Sequence, residues 1–462
     1  MTEMLSKTRR WAHFHDDPAV LEWCRVRLSR PLAWLTPPRR RMILTTASLV
    51  AAVVGSASTL RSREVSVVFD VGSLAAVILV LFAILWLVYR AAAGFAALPS
   101  ILRRHPQIGL HLLYWGMLGL LSVVGPVGGA WRTVLFGVAV MTPFLLWRCG
   151  YLLFSGQYGR VTGTRFTDHL IYLWPAYGGN TTPYGKGLDY LSRCEARTPE
   201  QLLRSQLSGI RLILLGTLWG AVLFVLEGLV YGDGNALTRF VGGDKPAIPA
   251  LGQLVKQGSD APFLAAWMSV YCELVKQVLR HAAGGHAIIG LLRIFGFNVF
   301  RNTYKPLLAE SISEFWNRYY YYFKELLANF FFLPTFTRLG KALRRWPKLR
   351  LLCAVFAAAF VGNLYYHLLQ RAVSLAEGRL LPALAALDSR SFYCLLLAIG
   401  IYVSMLREQG RLGQGPRPAG VRRVLRIFGV WTFFGLIFIW DVRGQASFAA
   451  RGDFFLGLFG LG

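Results

Sequence analysis

The chain has 462 residues, of which 55% are hydrophobic and only 16% charged, with 50 Lys and Arg against 23 Asp and Glu for a net charge of +27. A soluble protein of this size needs a far larger share of charged surface, so the composition places the chain in a membrane. The positive charge does not mark a nucleic-acid surface, because the cations cluster between apolar runs and are not spread over one face.

In chain order, residues 1–41 carry Asp16, Asp17, Glu22 and many cations without an uninterrupted apolar core, so they form no cleavable signal. They read instead as a cytoplasmic or interfacial amphipathic segment, with Trp11, Leu21, Trp23, Leu28 and Trp34 set among basic residues. Residues 42–159 follow as a block of transmembrane helices, 42–60 and 71–89 being uncharged for 19 residues each. About 20 residues suffice to cross the roughly 30 Å of hydrocarbon. Further candidate spans are 108–129, 133–154, 210–231, 262–280, 351–370, 389–406 and 424–441, while 165–180, 284–299 and 316–334 are apolar but interrupted. The expected fold is therefore an all-α polytopic membrane protein with about nine crossings and re-entrant or interfacial helices around a central cavity. Residues 160–370 are its membrane core and 371–462 its C-terminal helices.

The clusters Arg39-Arg40-Arg41, Arg103-Arg104, 338–350 and 407–426 fall on one side if nine crossings start from a cytoplasmic N-terminus. The positive-inside rule then puts the N-terminus in and the C-terminus out. Asp168, His169, the stretch 174–183 and Lys186 form a polar, Gly/Pro-punctuated segment suited to a re-entrant turn. Residues 232–260 read as the longest external loop and 407–420 as a flexible cytoplasmic linker. No internal repeat and no inverted pair of interrupted helices is present, which weighs against a transporter. Six cysteines show no CxxC and no pairing with histidine at ligand spacing, so packed thiols and no metal site are expected.

Two features could carry chemistry. His367 stands in a run of 20 residues, 351–370, that holds no Asp, Glu, Lys or Arg, with Asn363 one turn before it on the same face. An imidazole can take a proton from a hydroxyl near neutral pH and return it to a leaving group, and an ionisable residue inside a span defaults to function. The bland alternative is a histidine bonded to a neighbouring helix. The second feature is the segment 314–323, where Glu314, Trp316, Asn317 and Arg318 precede four consecutive tyrosines, Tyr319 to Tyr322. An interfacial aromatic belt explains the tyrosines and leaves Glu314, Asn317 and Arg318 unexplained. His286, within Gly284-Gly285-His286, could meet this segment in a cavity, although packing is its more ordinary role.

Ile289-Gly290, Phe295-Gly296-Phe297, Asn302, Pro306, Ser311-Ile312-Ser313-Glu314-Phe315-Trp316-Asn317-Arg318 and Leu333-Pro334 together resemble the membrane-bound O-acyltransferase superfamily, particularly its bacterial branch. There a Gly-rich helix, a Gly-Phe pair, an Asn and Pro, and a Ser-Ile-x-x-Phe-Trp-x-Arg-Trp-His run occur in that order. Leu173-Trp174-Pro175 through Pro183 resembles the family's Pro-punctuated turn, and His367 falls where its catalytic histidine is expected. The resemblance covers roughly residues 160–370. Two departures stand out: Tyr320 occupies the position of the family's first histidine, and the surround of His367 is Gly362-Asn363-Leu364-Tyr365-Tyr366 in place of the family's Gly-Leu-Trp-His-Gly.

What the resemblance implies is transfer of an acyl group from a thioester co-substrate, acyl-CoA or an acyl carrier, to a hydroxyl of a lipid-linked or extracytoplasmic saccharide, polymer or lipid. His367 would be the general base, Asn317 and Tyr320 would orient or stabilise the reacting groups, and Trp316, Arg318, Glu314, Asn363 and His286 would bind substrate. No tightly bound cofactor, no metal and no nucleic acid enter this scheme. The partners are membrane lipids, thioester donor and hydroxyl acceptor, with an accessory protein allowed, and the setting is a bacterial-type inner membrane. The rival readings are a transporter or flippase, and a degenerate family member serving as an interaction partner, for which Tyr320 is the motive.

Overall fold

The structure is a computed structural model that describes residues 13–62, 64–124, 129–173, 186–232, 248–411, 415, 419–442 and 446–461. Among these residues all regular structure is helical, and the sole strand-like feature is one isolated bridge between Glu195 and Phe297. The stretch 174–183, residues 233–247 of the loop 232–260, and residues 412–414 and 416–418 of the linker 407–420 lie outside the described residues. The elements that matter below are α1 (Pro18–Arg27), α2 (Ser29–Trp34), α3 (Pro37–Leu60), α4 (Val71–Ala93), α5 (Pro106–Val124), α6 (Gly129–Gln157), α7 (Phe166–Leu173), α8 (Gly187–Cys194), α9 (Pro199–Leu229) and α10 (Phe263–Ile294). They continue with α11 (Ile312–Tyr319), α12 (Tyr321–Leu327), α13 (Leu333–Ala342), α14 (Pro347–Leu369), α15 (Asp388–Gln409), α16 (Val421–Phe438) and α17 (Phe448–Gly457).

Five of these helices, α3, α4, α9, α14 and α15, are long and apolar enough to cross a membrane, and α6 makes six if its two halves, bent by 65° beside Pro143, form one span. Proline removes a backbone donor and clashes with the preceding turn, which is why the bend falls there. The helices leave large apolar side chains outside: Leu79 is 69% exposed, Leu113 73% and Val54 62%. So much uncovered apolar surface fits lipid and not water.

The chain folds as two compact units. Unit 1 takes in residues 1–213, 288–300 and 369–383. Here α4 and α5 pack against α6, and α3 packs on α7. Asp70 starts α4 by accepting the Ser73 amide at 2.7 Å, satisfying a donor the helix cannot pair internally. The N-terminal segment is more than a surface anchor, because Cys24 and Leu32 are buried against Leu202, Leu203 and Leu207 of α9. Trp23 and Trp34 stay exposed, as lying on headgroups requires.

Within unit 1, α9 and α10 cross backbone to backbone. A Cβ on Gly209 would sit 2.6 Å from Gly290 O, and one on Gly290 would sit 2.8 Å from Gly209 O and 2.7 Å from Ile213 Cγ1. Reciprocal glycines let two helices approach this closely in a membrane. Gly290 thus serves helix contact, and Gly284 and Gly285 do not interrupt the segment, for α10 runs unbroken from Phe263 to Ile294 and ends before Gly296. Gly290→Ala should lower stability by about 1–3 kcal/mol through overpacking, read as a fall in the detergent melting temperature, while Gly284→Ala, whose Cβ meets nothing within 4 Å, should leave it unchanged.

Unit 2 holds residues 214–287, 301–368 and 384–462. Its core is aromatic: Phe315 stacks on Phe434 at 3.8 Å between centroids, both fully buried. The segment 316–334 is broken as its sequence suggests. The backbone turns at Tyr320 between α11 and α12, and a π-helical stretch, Ala328–Phe332, links α12 to α13. A second π-helical stretch, Ala357–Gly362, lies within α14 and packs against the first. Such stretches recur at functional sites.

Candidate functional site

The start of α11 accounts for two of the unexplained polar residues. Ser311 accepts the Glu314 amide at 3.2 Å, Glu314 Oε2 accepts the Glu310 amide at 2.7 Å, and Arg318 Nη2 bonds Glu314 Oε1 at 2.5 Å one turn on. This is a capping arrangement followed by an i,i+4 ion pair. Glu408 of α15 secures the same end, accepting from Ser311 at 2.5 Å and Ser313 at 2.7 Å. Trp316 is buried against Phe323, whereas Asn317 faces outward and is exposed. Glu314 and Arg318 therefore serve the helix itself, and Asn317 does not point into the interior of unit 2.

His367 is half-buried on the last turns of α14, with Tyr366 and Phe323 edge-on to its ring at 5.8 and 6.5 Å. Arg390 of α15 reaches it: Nη1 lies 2.8 Å from Nδ1 and 3.0 Å from Nε2. The same guanidinium forms an ion pair with Asp441 through Nη2 at 2.5 Å, and both partners keep about a quarter of their surface, 28% and 27%. Asp441 sits in the turn after α16, and that turn is held by buried Arg451, whose Nη1 donates to Ile439 O and whose Nη2 donates to Val442 O at 3.2 Å. Arg451→Met should therefore strand two carbonyls, lowering stability by about 1–3 kcal/mol in a thermal melt. It should also loosen Asp441, and through it Arg390.

A second histidine, His281 of α10, faces the aromatic segment. Its Nδ1 lies 2.9 Å from Gln277 O and 3.0 Å from the Tyr319 hydroxyl, and its ring packs 5.0 Å from both Tyr319 and Tyr320. Gln277 in turn donates to buried Glu273 at 2.6 Å, so α10 carries a polar stripe at 273, 277 and 281. Tyr320 packs on Phe323 at 5.3 Å, so His281 and His367 flank the Tyr320–Phe323 ring pair. Tyr319 and Tyr393, both buried, lie within electrostatic reach of one another and of Asp441, which joins the two histidine clusters in one region.

Partner chemistry assigns the tautomer of His281. A guanidinium only donates, and Arg390 Nη1 lies within 3.0 Å of both ring nitrogens of His367, so it opposes a further positive charge on that ring without selecting one of its tautomers. A carbonyl only accepts, so His281 Nδ1 carries the proton and Nε2 keeps the lone pair. His281 thus offers a base, whereas His367 meets a fixed cation at both of its nitrogens.

Asn363 is buried beside the second π-helical stretch, and its Oδ1 meets no hydrogen-bond partner. His286 is buried on α10, with its Cβ 3.2 Å from where a Cβ on Gly216 would lie. Tyr320 is linked to His367 through Phe323, which packs on both rings. His281, Arg390 and Asp441 carry the site's polar contacts, and sequence reading missed all three. They stand at the edges of the apolar runs 262–280, 389–406 and 424–441, where a polar residue reads as a span terminus.

For a metal, His13, His15 and Asp16 bring ligand atoms within 4.8 Å of one another. Arg211 stands 3.3 Å from His15 Nε2, however, and a fixed cation there opposes a second one. All six cysteines are unpaired. Burial pushes the Cys194 thiol up, away from the reactive thiolate. Compared with family models and with curated proteins, the chain matches none.

Proposed function

We propose that the chain is a membrane O-acyltransferase whose site is the histidine and aromatic cluster of unit 2 around Tyr320 and Phe323. The reading rests on one observation: two histidines, His281 and His367, flank the same aromatic pair, His281 with its Nδ1 on a carbonyl and His367 tied to an Arg390–Asp441 ion pair. His281 Nε2 takes the proton of an acceptor hydroxyl. The oxygen attacks the thioester carbonyl, the C–S bond breaks, and the proton passes from His281 to the departing thiolate, giving an ester and a free thiol. His367 and the Arg390 charge beside it stabilise the oxyanion of the tetrahedral intermediate. Buried rings exclude water that would hydrolyse the thioester.

Donor and acceptor are those the resemblance implies, an acyl-CoA or acyl-carrier thioester and a lipid-linked or extracytoplasmic hydroxyl, in a bacterial-type inner membrane. Membranes containing the chain, given a radiolabelled acyl thioester, should release thiol and label a lipid or polymer fraction. Release no faster than in membranes carrying a His281→Ala/His367→Ala chain would refute the reading.

Nine crossings with the N-terminus cytoplasmic complete the proposal, because they gather the cation clusters on one side. Single cysteines introduced at 415 in the linker should then label only from the cytoplasmic face. Labelling from outside would remove one crossing or reverse the orientation.

A further inference from the structure

Unit 1 contains a cleft of about 490 Å³ bounded by the first turns of α3, by α7 and α8, and by Phe297. None of its lining residues belongs to the histidine cluster. Arg41 and Asp168 supply opposite charges, Thr45, Thr46, Thr167 and Ser192 supply hydroxyls, and Leu188, Leu191 and Ile171 supply an apolar floor. Arg41 is 42% exposed although Glu195 pairs with it, so one side of its guanidinium stays open. Asp168 accepts the Arg165 amide through Oδ2 at 2.8 Å and lies within electrostatic reach of Arg41. One rim of the cleft is made by Met42 and Thr46, which are exposed on α3, a helix long and apolar enough to span a membrane. The cleft therefore opens toward lipid at the level where α3 leaves the cations Arg39 to Arg41 and enters its apolar run.

We infer that this cleft holds one phospholipid with a zwitterionic, primary-amine head group. The phosphate lies on Arg41 and the threonine hydroxyls, the ammonium on Asp168, and the acyl chains run along the Met42–Thr46 face of α3. A purely anionic lipid fits less well, because Asp168 lines the cleft and Glu195 already pairs with Arg41, so a second negative charge is repelled. A purely aqueous ligand would leave the apolar floor and the lipid-facing rim unused.

The test uses the full chain in nanodiscs of equimolar phosphatidylethanolamine and phosphatidylglycerol, released into native mass spectrometry. One retained phosphatidylethanolamine is expected, favoured over phosphatidylglycerol by about fivefold or more, the discrimination given by one charge-assisted hydrogen bond. Thr46→Trp, at an exposed position, should fill the rim and abolish retention of either lipid without changing the melting temperature. Asp168→Asn should keep a bound lipid and bring the two head groups close to parity. Equal retention of both lipids by the parent chain, or undiminished retention in Thr46→Trp, would mean only annular lipid and overturn the assignment. Displacement of the lipid by excess soluble O-phosphoethanolamine would identify a water-soluble ligand and overturn it as well.

Discussion

His281→Gln should lower acyl transfer by about a hundredfold to ten-thousandfold, the contribution of a positioned general base. Glutamine keeps a donor at that position and removes the lone pair that takes the proton. His367→Gln should stay within about tenfold of the parent, because its amide can still donate to an oxyanion, whereas His367→Ala should lose about a hundredfold to a thousandfold. Thiol release measured on purified chains of equal folded fraction checks all three. The reverse order, with His367→Gln inactive and His281→Gln active, would return the base to His367 and require Arg390 to leave its ring during turnover. Arg390→Met separates these further. It should weaken transfer if Arg390 backs an oxyanion, and strengthen it if Arg390 holds the lone pair of a base. A merely structural pair of histidines would lower the melting temperature in each variant and leave transfer per folded molecule unchanged.

Gly296→Ala should produce the largest loss of stability in unit 1. Gly296 has φ +82°, in the left-handed region that costs a residue bearing Cβ about 1–2 kcal/mol. A Cβ there would also lie 1.8 Å from Arg40 Nη1 and 3.0 Å from Leu202 Cδ1. Arg40 cannot easily give way, since it is buried and its Nη2 donates to Ala196 O at 2.5 Å. Overpacking adds about 1–3 kcal/mol to the backbone strain, enough to remove much of a typical folding free energy. Folded yield and melting temperature should both fall sharply. Adding Arg40→Ala should recover part of the loss by opening space beneath residue 296. No recovery would leave backbone strain as the whole cause.

The helices were legible because apolar runs of spanning length survive almost any packing. The runs 42–60, 71–89 and 389–406 lie within α3, α4 and α15, and 351–370 matches α14 except for its last residue. The break at Tyr320 was also legible, since polar residues crowd an apolar stretch there. What misled was glycine: Gly284 and Gly285 suggest an interruption, yet a helix tolerates them when a neighbour such as Gly209 meets Gly290 backbone to backbone. Glu314 and Arg318 look like a site in one dimension because their partners are each other, a relation that becomes evident only once α11 begins at Ser311. His281 was hidden for the opposite reason. It lies just past the run 262–280, so its charge pattern matches any helix terminus, and only α10 continuing to Ile294 carries it inside.

The π-helical stretch Ala357–Gly362 governs the phase of everything that follows it in α14. One surplus residue widens that turn, and an α-helix advances about 100° per residue. Without the surplus, the continuation of the helix would be wound round by about that angle. Asn363 and His367 would then leave the side that meets Phe323 and Arg390, and face a different neighbour. Val361 is 54% exposed within the stretch, so deleting it removes little packing while resetting the winding. The orientation of the imidazole is accordingly stored two turns upstream of the histidine, as a count of residues and not as a contact. An ordinary α-helical spacing of the same side chains would place His367 on another side of its helix.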